Sequence, residues 1–415
     1  MKHIGIIGGG IIGLCSAYYL NKAGHRVTIF DQGDLQNGCS FGNAGMIVPS
    51  HIIPMAAPGM ISKGIRWMFQ SASPFYIRPR LSRDLIRWGY FFHKSATKEN
   101  VDRAVPALKE ISLLSKAQYQ QLAKELPFDF GFQERGLLML YQTEESEREE
   151  AETAKVANLN GIEAHVLNAG EVQKLEPEVK VKVRGGVYFP GDAHLTPQQL
   201  MHQLIPLLKS KGVIFQMQIA INDFIIEERK VKEVKTNENE YHFDELIVAA
   251  GSWSGSLCSK LGLSLPMQAG KGYSFTLPDM EKNIRVPSIF IEARVAVTPM
   301  GNSLRFGGTM EIAGIDHRIN MNRVKGIVDA IPHYYPEMNV PIPNQEVVWH
   351  GLRPCSPDGL PYIGRLNRLK NVILATGHSM MGLSLGPGTG KLIAEIVNEE
   401  KESINIHLFD PERFA

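Results

Sequence analysis

Three glycines and an acid near the start of the chain are spaced to hold a phosphorylated ligand. Gly8, Gly10 and Gly13 fall in the G-x-G-x-x-G spacing, and Asp31 follows further on. Gly8 permits a tight turn. Gly10 lets backbone N–H groups approach a pyrophosphate, and Gly13 lets helix and strand pack closely. Ile11 and Ile12 open the helix whose positive end would face the phosphates. Asp31 can accept hydrogen bonds from a ribose diol. A second chemistry sits far away, at Arg353 in Trp349-His350-Gly351-Leu352-Arg353-Pro354. A guanidinium presents a planar fork that binds a carboxylate through two bonds, which lysine cannot reproduce. The competing reading pairs Arg353 with a protein acid such as Asp358. Tyr273 could donate its hydroxyl to a substrate or simply pack in a sheet. His51 could line the pocket, although a structural or surface histidine is the favoured reading.

These residues need particular elements to position them. Residues 4–8 read as a short buried parallel strand, Ile11–Lys22 as a helix broken at Gly24, and residues 27–30 as a second strand ending at Asp31. Residues 243–254 and 371–378 are two further apolar strands, each running into a glycine turn. The second of these is expected to lead to a helix over 388–398. Segments 272–277, 288–292, 295–299 and 304–310 are strand-like and separated by turn residues, as in a mixed or antiparallel sheet. The expected fold is α/β: a discontinuous Rossmann-like domain from 1–50, 151–262 and 349–415, with an α+β substrate domain from 51–150 and 263–348.

Composition excludes several classes. With 415 residues the chain is long enough for about two domains. A formal charge of +1 gives no electrostatic case for nucleic acid binding. Cys15, Cys39, Cys258 and Cys355 show neither C-x-x-C nor zinc spacing, which fits free thiols in a reducing, cytoplasmic setting and no metal. The first strand follows Met1 so closely that no signal peptide is expected, and no apolar run reaches membrane-spanning length.

The motifs together resemble the FAD-dependent D-amino acid oxidase superfamily, and within it the bacterial D-amino acid dehydrogenases. The resemblance rests on residues 8–13 with Asp31, on Gly42-Asn43-Ala44-Gly45, on 56–59 and 67–70, on Lys271-Gly272-Tyr273-Ser274, on 351–354 with 357–359, and on Thr376-Gly377-His378. It implies noncovalent FAD rather than NAD. Gln32, Ser40, Asn43, Ala44, Gly45 and Met46 on one side would contact the cofactor, with Gly377, His378, Met381 and Gly382 on the other. Ile221 and Gly251 would line its adenosine end. It further implies that Arg353 holds the carboxylate of an amino acid, whose α-carbon gives hydride to flavin N5. The resulting imine hydrolyses to a 2-oxo acid and ammonia. Cys355 is expected to be a small buried residue, not a flavin attachment point. Met380 and Met381 suggest an apolar wall.

Residues 61–94 mix basic and aromatic side chains. They could rest on anionic lipid and pass electrons to a quinone. The favoured reading is helices packed on the substrate domain with a basic face in water. Alternative activities are a D-proline or hydroxy-D-proline dehydrogenase, a glycine or sarcosine oxidase-like enzyme, an NAD(P)-dependent dehydrogenase, or a non-catalytic flavin-binding module.

Overall fold

A computed structural model describes residues 1–60 and 75–415. In chain order the strands are β1 His3–Ile7, β2 Arg26–Asp31, β3 Met46–Ile47, β4 Phe75–Ile77, β5 Leu137–Tyr141, β6 His165–Asn168, β7 Gly185–Phe189, β8 Ala193–His194, β9 Ile214–Met217 and β10 Asp223–Glu227. They continue as β11 Lys230–Lys235, β12 Glu240–Tyr241, β13 Glu245–Val248, β14 Gln268–Leu277, β15 Ser288–Phe290, β16 Val295–Met300, β17 Ser303–Ile312, β18 Trp349–Cys355, β19 Tyr362–Arg365 and β20 Val372–Thr376. The helices used below are α1 Ile11–Lys22, α2 Arg83–Ser95, α3 Lys98–Glu125, α4 Glu144–Leu159, α5 Ala169–Leu175, α6 Pro197–Ser210, α7 Ser254–Lys260, α8 Met321–Tyr334 and α9 Gly382–Asn398.

Two sheets carry the fold. One has the order β19-β20-β13-β1-β2-β9 and is parallel except at β19. The other is nine-stranded, β18-β14-β17-β16-β15-β5-β7-β6 with β4 on β17, and mostly antiparallel. The expected α/β architecture is therefore present. Strand β1 is buried on both faces and reads as an apolar run for that reason. Helix α1 is apolar nearly all round, because the parallel sheet, α6 and α9 enclose it.

The expected domain boundaries differ from the pairing. Strands β6 and β7 join the nine-stranded sheet through β5, and β18 joins it through β14. Helix α3, expected with the substrate part, packs on α9 through Ala104, Leu108, Ile111, Ser115 and Tyr119. That stripe recurs at helical spacing, and it follows the apolar surface that is available to it.

Helix α9 starts earlier than expected, at Gly382, and runs through Pro387. Proline removes the N–H that would have bonded the carbonyl four residues back, which here is that of Leu383. Tyr119 Oη donates to the Leu383 carbonyl at 2.6 Å, and Ser115 Oγ accepts from Gly388 N at 3.1 Å. Helix α3 thus supplies the partner that the proline takes away. The glycines of α9 are contact points. A Cβ at Gly390 would lie 2.6 Å from the Cys15 backbone, and one at Gly388 2.8 Å from Ser115 Cβ.

Tyr119→Phe removes that donor and strands a buried carbonyl. It should lower stability by about 1–3 kcal/mol. Chemical denaturation checks this, and an unchanged midpoint would show that the hydroxyl bond carries no stability.

Candidate active site

A cavity of about 1500 Å³ runs from the N-terminal glycines to β18. That exceeds the roughly 300–1,000 Å³ of an ordinary small-molecule site, leaving room for a dinucleotide and a substrate together. The turn after β1 forms one end. Gly8 has φ +111°, and a Cβ there would lie 2.4 Å from the Ala249 carbonyl. A Cβ on Gly13 would lie 1.9 Å from the Gly8 carbonyl, so Gly13 serves helix–strand packing as expected. Gly10 differs. A Cβ there meets nothing closer than Ser40 Oγ at 3.4 Å, and it would enter the cavity. The first turn of α1 opens onto the same space, with Ile11 N donating to Ser40 Oγ at 3.0 Å. This cradle fits a pyrophosphate.

Asp31 lines the cavity at the end of β2. Its Oδ2 accepts from Gly9 N at 2.7 Å and its Oδ1 from Gly33 N at 2.8 Å. Each oxygen keeps a second lone pair for a ribose hydroxyl. Gln32, Ile221 and Gly251 line the same end.

Residues 40–51 form a strap across the middle of the cavity. Ser40, Asn43, Ala44 and Met46 line it. Gly45 does not. A Cβ there would lie 2.3 Å from the Leu195 carbonyl, so this glycine serves backbone packing instead of a ligand face. Arg305, only 3% exposed, donates to the carbonyls of Phe41 at 3.1 Å and Asn43 at 2.8 Å, and to Thr276 Oγ1 at 3.0 Å. Burial lowers its pKa to about 10. Nothing in the sequence marked Arg305 as the clamp on this strap.

The turn before α9 closes the far side. His378, Met381 and Gly382 line the cavity there. Gly377 stands behind it, with φ +77° and Tyr362 against its Cα. The His378 ring is bonded to Thr389 Oγ1 at 3.0 Å, and burial holds its pKa down to about 3. The side chain therefore ties the turn to α9 as a neutral imidazole. Helix α9 begins at Gly382 and points its N-terminus into the cavity, a favourable place for developing negative charge.

Arg353 lies on β18. Its Nη1 donates to the Thr309 carbonyl at 2.7 Å, and among the described residues no carboxylate pairs with it. Asp358 is held instead by Arg413, at 2.7 and 3.0 Å. Burial lowers the Arg353 pKa. The guanidinium lies across β14: a Cβ at Gly272 would sit 2.2 Å from Nη2, so only glycine fits beneath it. Met310, Met55, Ile77 and Ile312 line the cavity beside it.

Tyr273 is on the other face. It neighbours Gly272 on β14, where side chains alternate between faces. Its hydroxyl donates to Glu311 Oε1 at 2.9 Å and accepts from Asn320 N at 3.2 Å. Burial and Glu311 raise its pKa. Its hydroxyl is thus committed to a network with Lys271, Glu311 and Arg323, while the residue also lines the cavity. His51 lines the cavity instead of lying on the surface, and burial pushes its pKa down to about 4.

Cys355 is buried, its Sγ 3.4 Å from the Arg353 carbonyl, and burial raises its pKa, as befits an inert thiol. In the basic aromatic region, residues 61–74 and with them the 67–70 motif lie outside the described residues. Within α2, Trp88 is buried and donates to the Cys355 carbonyl at 2.9 Å, whereas Ile86 and Tyr90 are exposed, as is Leu81 just before the helix. No described helix is long and apolar enough to cross a membrane.

The family described as DAO, FAD dependent oxidoreductase, matches residues 3–396. The chain is similar to the D-amino acid dehydrogenase of Granulibacter bethesdensis, 31% identical over 407 residues and covering 96% of each. It is 30% identical over 412 residues to that of Helicobacter pylori, covering 98% of each. Among solved structures, glycine oxidase from Geobacillus kaustophilus superposes with a TM-score of 0.79 at 23% identity, covering 100% of both chains. L-Proline dehydrogenase from P. horikoshii gives 0.76 at 19% identity, covering 100% of this chain and 97% of its own.

Gly10→Val projects a side chain where a pyrophosphate would lie, without striking backbone. The expected protein is folded by circular dichroism but depleted of flavin absorbance. Normal flavin content in this variant would remove Gly10 from the phosphate site.

Proposed function

The chain belongs to the FAD dependent oxidoreductase family, and from that premise we propose that it is a D-amino acid dehydrogenase with noncovalently held FAD. The observation that carries this reading is Arg353. It is a guanidinium on the cavity wall whose described partner is a carbonyl, not an acid. A buried cation so placed is completed by an anionic ligand, and its fork suits a carboxylate. The D configuration rests on the names of the similar dehydrogenases.

FAD, when bound, would supply the hydride acceptor for the α-carbon of the amino acid. The residues of this chain do the rest. Arg353 fixes the carboxylate and thereby the direction in which the α-hydrogen points. Gly272 gives the guanidinium its place. The N-terminus of α9 and the backbone around residues 379–382 set a positive potential where electrons arrive. Met310, Met55, Ile77 and Ile312 form an apolar wall beside Arg353 and favour a substrate with an apolar side chain. Hydrolysis of the imine product to a 2-oxo acid and ammonia asks nothing further of the protein. The buried thiol of Cys355 agrees with noncovalent FAD. The electron acceptor we assign to the respiratory class, in keeping with relatives named dehydrogenases.

Anaerobic bleaching of the flavin, run against D- and L-amino acids, proline analogues and sarcosine, tests the reading directly. Apolar D-amino acids should bleach it fastest, and bleaching by L-amino acids or sarcosine alone would overturn the assignment. In Arg353→Lys and Arg353→Ala, flavin should stay bound while KM rises by about 10²-fold or more, the cost of removing one partner of a buried charge pair. An unchanged KM would take Arg353 out of the substrate site.

A further inference from the structure

The short β3–β8 ladder has a consequence outside the cofactor cradle. It pairs Met46 with His194 and Ile47 with Ala193, so the chain after β3 runs beside the residue before β8. Asp192 is that residue, and it is fully buried. Ser50 meets it twice, with its N 3.1 Å from Oδ1 and its Oγ 2.5 Å from Oδ2. The same Ser50 Oγ lies 3.2 Å from His51 Nδ1. His51 lines the cavity, whereas Asp192 does not. A buried carboxylate is therefore connected to the cavity through one hydroxyl and one imidazole.

His51, Arg294, Thr309 and Arg353 all line the one cavity. Arg353 Nη1 holds the Thr309 carbonyl, and a Cβ at the neighbouring Gly308 would lie 3.3 Å from the Arg294 carbonyl. The Arg294 charge in turn faces His51. Thr309 and Arg294 both carry positive φ, at 71° and 53°. Such strained backbone tends to collect at functional sites.

We propose that Ser50 and Asp192 are positioning residues that make His51 the acceptor of the proton from the substrate ammonium. The proposal rests on the amino acid oxidation proposed above. Hydride leaves the α-carbon only when the nitrogen lone pair is free, so the ammonium must first lose a proton. With Asp192 ionised, the Ser50 hydroxyl donates to Oδ2 and its oxygen accepts from His51 Nδ1–H. That arrangement fixes the tautomer with its lone pair on Nε2. The ammonium N–H bond then breaks as the Nε2–H bond forms. The Nδ1 proton passes to Ser50 Oγ, and the Ser50 proton passes to Asp192. One proton moves from substrate to Asp192, and nothing is oxidised or reduced in this step.

The surrounding charges bear on the pH response. Arg294 faces His51. Around Asp192 stand Lys116 from α3, whose ammonium holds the Gly191 carbonyl and Glu134, and Tyr188 from β7. His194 from β8 stands next to Arg135. Burial raises the Asp192 pKa to about 7, against the bonds from Ser50 and the Lys116 charge. The relay is therefore loaded as the pH rises through neutrality.

Stopped-flow flavin reduction by an amino acid that the wild type oxidises tests the relay across pH. Asp192→Asn directs an amide donor at Ser50 and so favours the other tautomer. Ser50→Ala breaks the path but keeps the backbone bond to Asp192, so it decides the matter if Asp192→Asn does not fold. Both should slow reduction about 10²-fold near neutral pH. The gap should close at high pH, where the amine is already neutral, and Ser50→Thr should restore the rate. A purely structural role would give a loss that is the same at every pH. That result, or variants that track the wild type, overturns the relay alone. A wild type bleached by no amine overturns the proposed function, and the relay with it.

Discussion

The approach of α9 to α1 and α3 is the constraint on which the site depends. Glycines at 386, 388 and 390 leave no side chain between α9 and Ile11, Ser115 and the Cys15 backbone. Because the helices touch at that distance, the N-terminus of α9 and the N-terminus of α1 open into one cavity. Two positive helix ends facing one space are costly unless something negative lies there. A dinucleotide is anionic at its phosphates and becomes richer in electrons at its ring on reduction. The packing and the electrostatics thus call for the same ligand.

The treatment of buried cations divides the molecule by purpose. On one face of the nine-stranded sheet, Lys271 and Arg323 are matched by Glu311 and Asp316. Near the C-terminus, Arg413 is matched by Asp358. On the cavity face, Arg353 and Arg305 are held by carbonyls and hydroxyls. Carbonyls orient a guanidinium without neutralising it. The sheet therefore carries acid-paired cations on one face and cations held by neutral oxygens on the other.

Much of this was legible beforehand, for particular reasons. The β1–α1–β2 unit is local, so its glycines, apolar runs and acid follow each other within one stretch of chain. Arg353 stood out because few side chains bind carboxylate in that way, and it does line the cavity with a carbonyl as its partner. What escaped was long-range pairing. Nothing in residues 185–189 says that they pair with β5, and nothing near Pro387 announces that Tyr119 will satisfy Leu383. Gly45 and Gly377 looked like ligand glycines, because a packing glycine and a ligand glycine are identical in sequence. Asp192 gave no signal, since its partner Ser50 lies on a distant segment.

The strap over residues 40–51 shows how such long-range contacts become functional. Ser40 binds the first turn of α1, Arg305 binds the carbonyls of Phe41 and Asn43, Ser384 of α9 binds Val48 N, and Asp192 binds Ser50. The anchors come from four places: the first turn of α1, strand β17, the first turn of α9 and the turn before β8. A strap with so many independent anchors cannot move at one end without loading the others. Anything that orders the phosphate cradle at Ser40 therefore also orders His51, at the far end of the same strap. Shaping the phosphate cradle and placing the His51 imidazole on the cavity wall are, on this geometry, one structural event.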